Sequence, residues 1–163
     1  MSTLHTRIRQ WALLEGVRHV HSDLLVVRIG TSQANSRRKG QLFVVVEAVD
    51  NPVHGRAACA LAAETLCAAF YADRTASITS SLRQAFRAAH QAVANHNRRA
   101  PAAERTLVGA SCAVVHNDTL YLAQALPSSV FFHTNGQLRA LPDFQAKPSE
   151  DQHHHALGSP LYT

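Results

Sequence analysis

The chain has 163 residues, of which 46% are hydrophobic and 17% charged, a balance that fits one globular domain and excludes a disordered chain. The net charge is +5, much of it in small groups: Arg37, Arg38 and Lys39, then Arg98, Arg99 and Arg105. Such groups can attract nucleic acid, phosphorylated protein or anionic lipid; with no recognition motif or interleaved aromatics beside them, a solvated loop face is expected and a nucleic-acid module is not.

In chain order, residues 1–15 read as an N-terminal amphipathic segment, with Leu4, Ile8, Trp11 and Leu14 at helical spacing. Arg7, Arg9 and Glu15 interrupt any apolar run, so no signal peptide is expected. Residues 24–29 form an apolar, β-branched strand, and residues 30–40 a loop rich in turn formers. Residues 42–46 (Leu-Phe-Val-Val-Val) predict a strand buried on both faces. Two helices follow, over residues 55–71 and 77–98. The first has a buried stripe of Ala58, Leu61, Ala62, Thr65, Leu66, Ala69 and Phe70; the second has Ile78, Leu82, Phe86, Ala89 and Val93. Pro101 stops helical propagation. Four short strands come next, over residues 107–115, 119–125, 130–133 and 137–141. Asn135-Gly136 between the last two is the strongest hairpin signal in the chain. This order predicts an α+β fold with mainly antiparallel pairing. Residues 16–142 form the domain, and the polar, Pro- and His-rich residues 143–163 are expected to be a weakly ordered tail.

Three segments, in order, resemble the PPM-type (type 2C) metal-dependent serine/threonine protein phosphatases. Residues 16–23 (Gly-Val-Arg-His-Val-His-Ser-Asp) and the strand after them resemble that family's opening motif, Gly-x-x-Arg followed by Asn-Glu/Gln-Asp. Residues 38–48 (Arg-Lys-Gly-Gln-Leu-Phe-Val-Val-Val-Glu-Ala) are similar to its Gly-x-Leu-Phe-x-Val-x-Asp-Gly strand, and His54-Gly55 with an alanine-rich helix continues the match. Residues 118–132, followed by Asn135-Gly136, resemble its Leu-Tyr-x-Ala-x-x-Gly-Asp-Ser-Arg hairpin. Residues 156–158 (Ala-Leu-Gly) match a later landmark weakly. The resemblance implies a four-layer α-β-β-α sandwich of two antiparallel sheets, lacking its C-terminal part.

It also implies where the chemistry would sit. Family members hold two Mg²⁺ or Mn²⁺ ions that generate a hydroxide-like nucleophile and neutralise the phosphate. Hard divalent ions require several oxygen ligands. Arg18 matches the phosphate-gripping arginine and Asp23 the final Asp of the first motif, while His21 and Ser22 replace its other polar residues. Glu47 replaces the bridging Asp; its extra methylene displaces the carboxylate by about 1.5 Å. Ala48 replaces a ligating Gly, Leu126-Pro127 replaces Gly-Asp, and Ser129 replaces Arg. Arg18 is therefore expected as a vestigial phosphate contact, and Asp23, Glu47 and Ala48 as a vestigial metal site. An exposed ion pair of Arg18 with Asp23 or Glu47 fits the same residues.

The expected function is a pseudophosphatase with a binding or regulatory role, without a cofactor. The alternative is a weakly active Mg²⁺- or Mn²⁺-dependent phosphatase acting on phosphoprotein. The chain stops before the family's C-terminal metal aspartates. Sheet edges left bare by missing strands would call for a homodimer or a protein partner. Cys59, Cys67 and Cys112 have no CxxC spacing and read as reduced core thiols of a cytoplasmic protein. No membrane span is expected. His153, His154 and His155 read as part of a flexible tail, since three adjacent histidines do not converge on one ion in a regular element. Ser111 and Ser128 lack a Gly-x-Ser-x-Gly elbow.

Overall fold

The computed structural model describes residues 12–14, 17–19, 25–29, 38–49, 52–125, 130–141 and 157–158. The centre is a four-stranded antiparallel sheet of β3 (Leu25–Ile29), β4 (Gln41–Ala48), β5 (Val108–His116) and β6 (Thr119–Ala125), in that order across the sheet. Two helices, α1 (Pro52–Ala72) and α2 (Ile78–Arg99), connect β4 to β5. A 3-10 turn at Ala102–Glu104 precedes β5, and two hairpins complete the described elements: β1 (Ala12–Leu14) with β2 (Val17–His19), and β7 (Val130–Thr134) with β8 (Gln137–Leu141). The α+β class and the antiparallel pairing agree with the expectation.

The core lies between the helices and one face of the sheet. Leu42, Val44 and Val46 alternate inward on β4, as do Val108, Ala110, Cys112 and Val114 on β5. Residues Phe43, Val45 and Glu47 on the other face of β4 are only half-buried, so β4 is not enclosed on both sides. A chain of apolar residues hides the period of two, and the layer on each face decides how deeply each side chain is buried.

Helix α1 starts three residues before the expected boundary. Pro52 takes its first position, where a missing N–H leaves no partner unsatisfied. Its buried face is Ala58, Cys59, Ala62, Ala63, Leu66 and Phe70. The expected stripe was rotated by about one residue, because Leu61, Thr65 and Ala69 are half-buried and Cys59 and Ala63 replace them. The face must serve both the sheet and α2, and small residues permit both approaches. Helix α2 buries all five expected residues and adds Ser81 and Ala85. Ser77 caps it, its Oγ accepting the Ser80 N–H at 3.2 Å.

The β7–β8 turn follows local chemistry. Asn135 and Gly136 have positive φ (49° and 76°), the backbone a two-residue I′ hairpin needs. The β1–β2 pairing corrects the helical reading of residues 12–14: Leu14 pairs with Val17 in a strand. Three residues per strand suffice for a local hairpin, and apolar spacing alone does not separate that from a helix end. Trp11 and the rest of residues 1–11 lie outside the described residues. Within the expected tail, Leu157 is fully buried and forms two backbone hydrogen bonds with Val108, at 2.9 and 3.1 Å. The rest of the expected tail lies outside the described residues.

Candidate functional site

Antiparallel register brings the start of β3, the end of β4 and the end of β6 to one end of the central sheet. Leu25, at the start of β3, faces Glu47 near the end of β4. Glu47 faces Gly109 at the start of β5, and Ala110 faces Ala125 at the end of β6. Asp23 precedes Leu25 by two residues, and residues 126–129 follow Ala125; both lie outside the described residues, as do His153, His154 and His155.

Glu47 is half-buried and Ala48 is half-buried beside it. The Ala48 methyl points at Gly55 in the first turn of α1, so closely that a Cβ on Gly55 would collide with it. A methyl thus fills the space between strand end and helix start. Arg18 lies exposed on β2, opposite Leu13. Among the described residues no group of three or more His, Cys, Asp or Glu side chains is arranged to hold a metal ion. Glu47 is the one carboxylate of the expected metal set among the described residues, and two hard cations need several more oxygen ligands.

The outer face of the sheet meets the β7–β8 hairpin. Phe43, Val45, Glu47, Ser111, Ala113 and Leu122, together with Val130 and Phe131 of β7, line a cavity of about 430 Å³. Ser111 and Gln124 are register partners on this face, and neither Ser111 Oγ nor Gln124 Oε1 has a hydrogen-bond partner among the described residues. Cys112 beside Ser111 is buried, and burial pushes its thiol pKa up, which disfavours the reactive thiolate. Cys59 is likewise pushed up to about 11, by burial first and by the Glu47 carboxylate second.

The best-ordered polar cluster is elsewhere, and sequence reasoning missed it. Lys39, expected on a solvated loop, is 1% exposed. Its ammonium donates to the Phe70 carbonyl at 2.9 Å and to Ser81 Oγ at 2.6 Å, and lies 3.5 Å from Asp73 Oδ2. Arg38 donates to the Tyr71 carbonyl at 3.0 Å. Two cations from the β3–β4 connection thus cap the C-terminus of α1, which has no basic residue in its own last turn. Ser81 donates to Asp73 Oδ2 at 2.7 Å and Thr75 Oγ1 donates to the same oxygen at 2.6 Å. These bonds, Thr75's ahead of Ser81's, hold the Asp73 carboxyl well below its ordinary pKa. Burial lowers the Lys39 pKa against the pull of Asp73. A lysine on a serine suggests a nucleophile pair, but Ser81 is fully buried, so the cluster joins elements and reaches no substrate. The Asp-x-Thr-x-Ser spacing from Asp73 to Ser77 was the available signal, being that of an Asx turn leading to a helix cap.

A second opening of about 390 Å³ lies between α2 and the outer edge of β6, lined by Thr79, Leu82, Arg83, Phe86 and Arg87 on the helix and Leu122 to Gln124 on the strand. No helix among the described residues is long and apolar enough to cross a membrane. The chain matches no protein-family model and no curated protein sequence.

Proposed function

We propose that this chain is a PPM-phosphatase-like domain whose catalytic centre is degenerate and which acts by binding, as a pseudophosphatase. The observation that carries the reading is the register that brings Leu25, Glu47 and Ala125 to one sheet end. These strand ends adjoin the three segments that resemble catalytic motifs, which supports the reading. The residues at that end argue against a two-metal reaction: Glu47 carries an extra methylene, and the Ala48 methyl lodges against Gly55. The finer architecture, a second sheet over the first, draws support from the half-buried outer face and from the hairpin that approaches it.

The test is hydrolysis of an aryl phosphate with Mn²⁺ or Mg²⁺, beside a calorimetric Mn²⁺ titration. The expected outcome is no metal-dependent turnover and no Mn²⁺ binding that Asp23→Asn removes. Turnover that disappears in both Arg18→Ala and Asp23→Asn would establish the weakly active phosphatase instead.

A further inference from the structure

We propose that the groove between α2 and the free edge of β6 binds an acidic, extended segment of a partner protein, which adds to the sheet as a fifth strand. Strand β6 pairs with β5 on one side, and among the described residues no strand pairs with its other side. Its seven residues, Thr-Leu-Tyr-Leu-Ala-Gln-Ala, contain no charge and no proline. Exposed edges are ordinarily guarded by such residues against pairing with another chain. An unguarded edge offers backbone N–H and C=O groups to an incoming strand, the mode of recognition known as β-addition.

The occupant's chemistry follows from the helix beside the edge. The 22 residues of α2 include four arginines and no Asp or Glu. Arg83 and Arg87 are exposed, line the groove, and have no salt bridge or hydrogen bond among the described residues. They are four apart, so their Cβ atoms lie about 5–6 Å from one another, and like charges at that spacing oppose the helix. On an extended strand, alternate side chains recur every ~6.6 Å. Two carboxylates at positions i and i+2 of an added strand therefore match the arginine pair, while the apolar residues between them turn to the opposite face of the sheet, the face that carries Leu122. A second copy fits poorly. Two such edges paired about a twofold axis would bring four arginines together, in a chain already at +5.

The proposal goes beyond the phosphatase-like reading, and its test uses neither metal nor phosphate, so either claim can fail alone. A fluorescent hexapeptide alternating Glu and Val is titrated against the full chain by anisotropy at low salt, with the Lys-Val counterpart in parallel. Saturable binding of the Glu peptide only is expected. Arg83→Ala with Arg87→Ala weakens it about tenfold, as two exposed ion pairs would. Arg83→Glu with Arg87→Glu transfers the preference to the Lys peptide, which a merely unfolded variant does not do. N-methylation of alternate peptide amides abolishes binding, since an added strand needs those donors. The proposal is overturned if neither peptide binds, or if both arginine variants bind like the wild type. It is equally overturned if a single-stranded oligonucleotide of the same charge binds more tightly than the peptide, or if the wild type dimerises through these arginines.

Discussion

Lys39 illustrates how a single side chain holds three elements. It reaches the last turn of α1 through the Phe70 carbonyl and the start of α2 through Ser81, and its ammonium lies 5.3 Å from the centre of the Phe70 ring. Replacing it with alanine leaves a buried hydroxyl and a helix-terminal carbonyl without their donor. The expected cost of Lys39→Ala is about 1–3 kcal/mol, read by urea denaturation. Asp73, on the same cluster, gives the fold an acid limit. Its folded pKa lies below the ordinary 3.8, so its stabilisation is present above that pH and is lost as pH falls below it. His90 acts at higher pH. Burial lowers its pKa from 6.5, and its neutral Nδ1 accepts the Gly158 N–H at 3.3 Å. The folded state therefore disfavours the imidazolium. Stability should be greatest above about pH 6.5 and fall as acid protonates the unfolded chain's histidine. Denaturation midpoints measured from pH 8 to pH 2 should decline below 6.5 and again below 3.8, and His90→Gln should flatten the first decline while leaving the Asp73 limb in place.

At the scale of elements, the contact between β4 and α1 is set by one methyl. Ala48 occupies the space that Gly55 leaves open, so Gly55→Ala forces the helix start away from the strand end. Overpacking of this kind costs about 1–3 kcal/mol. Ala48→Gly alone removes a side chain from a strand, at about 0.5–1 kcal/mol. The double variant should recover most of the loss, giving a coupling that a thermal-denaturation cycle measures directly. Additive losses would mean that the two residues do not define each other's space. The hairpin at Asn135-Gly136 behaves differently, because its positive φ values are local and nothing lies near the Gly136 Cα to restrict a side chain. Residues of this type were legible from sequence; the Ala48–Gly55 contact was not, since neither residue carries a periodic or polar signal.

For the whole molecule, the docking of Leu157 onto β5 ties the end of the described chain to the body. Leu157 is fully buried, and a side chain on Gly158 would press on Val93 of α2. Leu157→Ala should cost about 2–5 kcal/mol, as other buried leucines do, and should increase hydrogen exchange at the Val108 amide, which Leu157 covers. The amino-acid sequence by itself determined the order of strands and helices from β3 onward, the buried stripe of α2 and the turn at Asn135-Gly136. Each of these follows from residues close in the chain, where periodicity and turn chemistry act over one or two turns or strands. It also supplied the three motif segments that resemble a phosphatase, with Arg18, Asp23, Glu47 and Ala48 as their chemical residues. Only the tertiary structure decided that the start of β3 and the ends of β4 and β6 share one sheet end, that Lys39 is a buried helix cap rather than a solvated charge, and that Arg83 and Arg87 flank a strand edge with no partner among the described residues. Such facts depend on register and packing between residues tens of positions apart, and no local pattern encodes which distant backbone a side chain will meet.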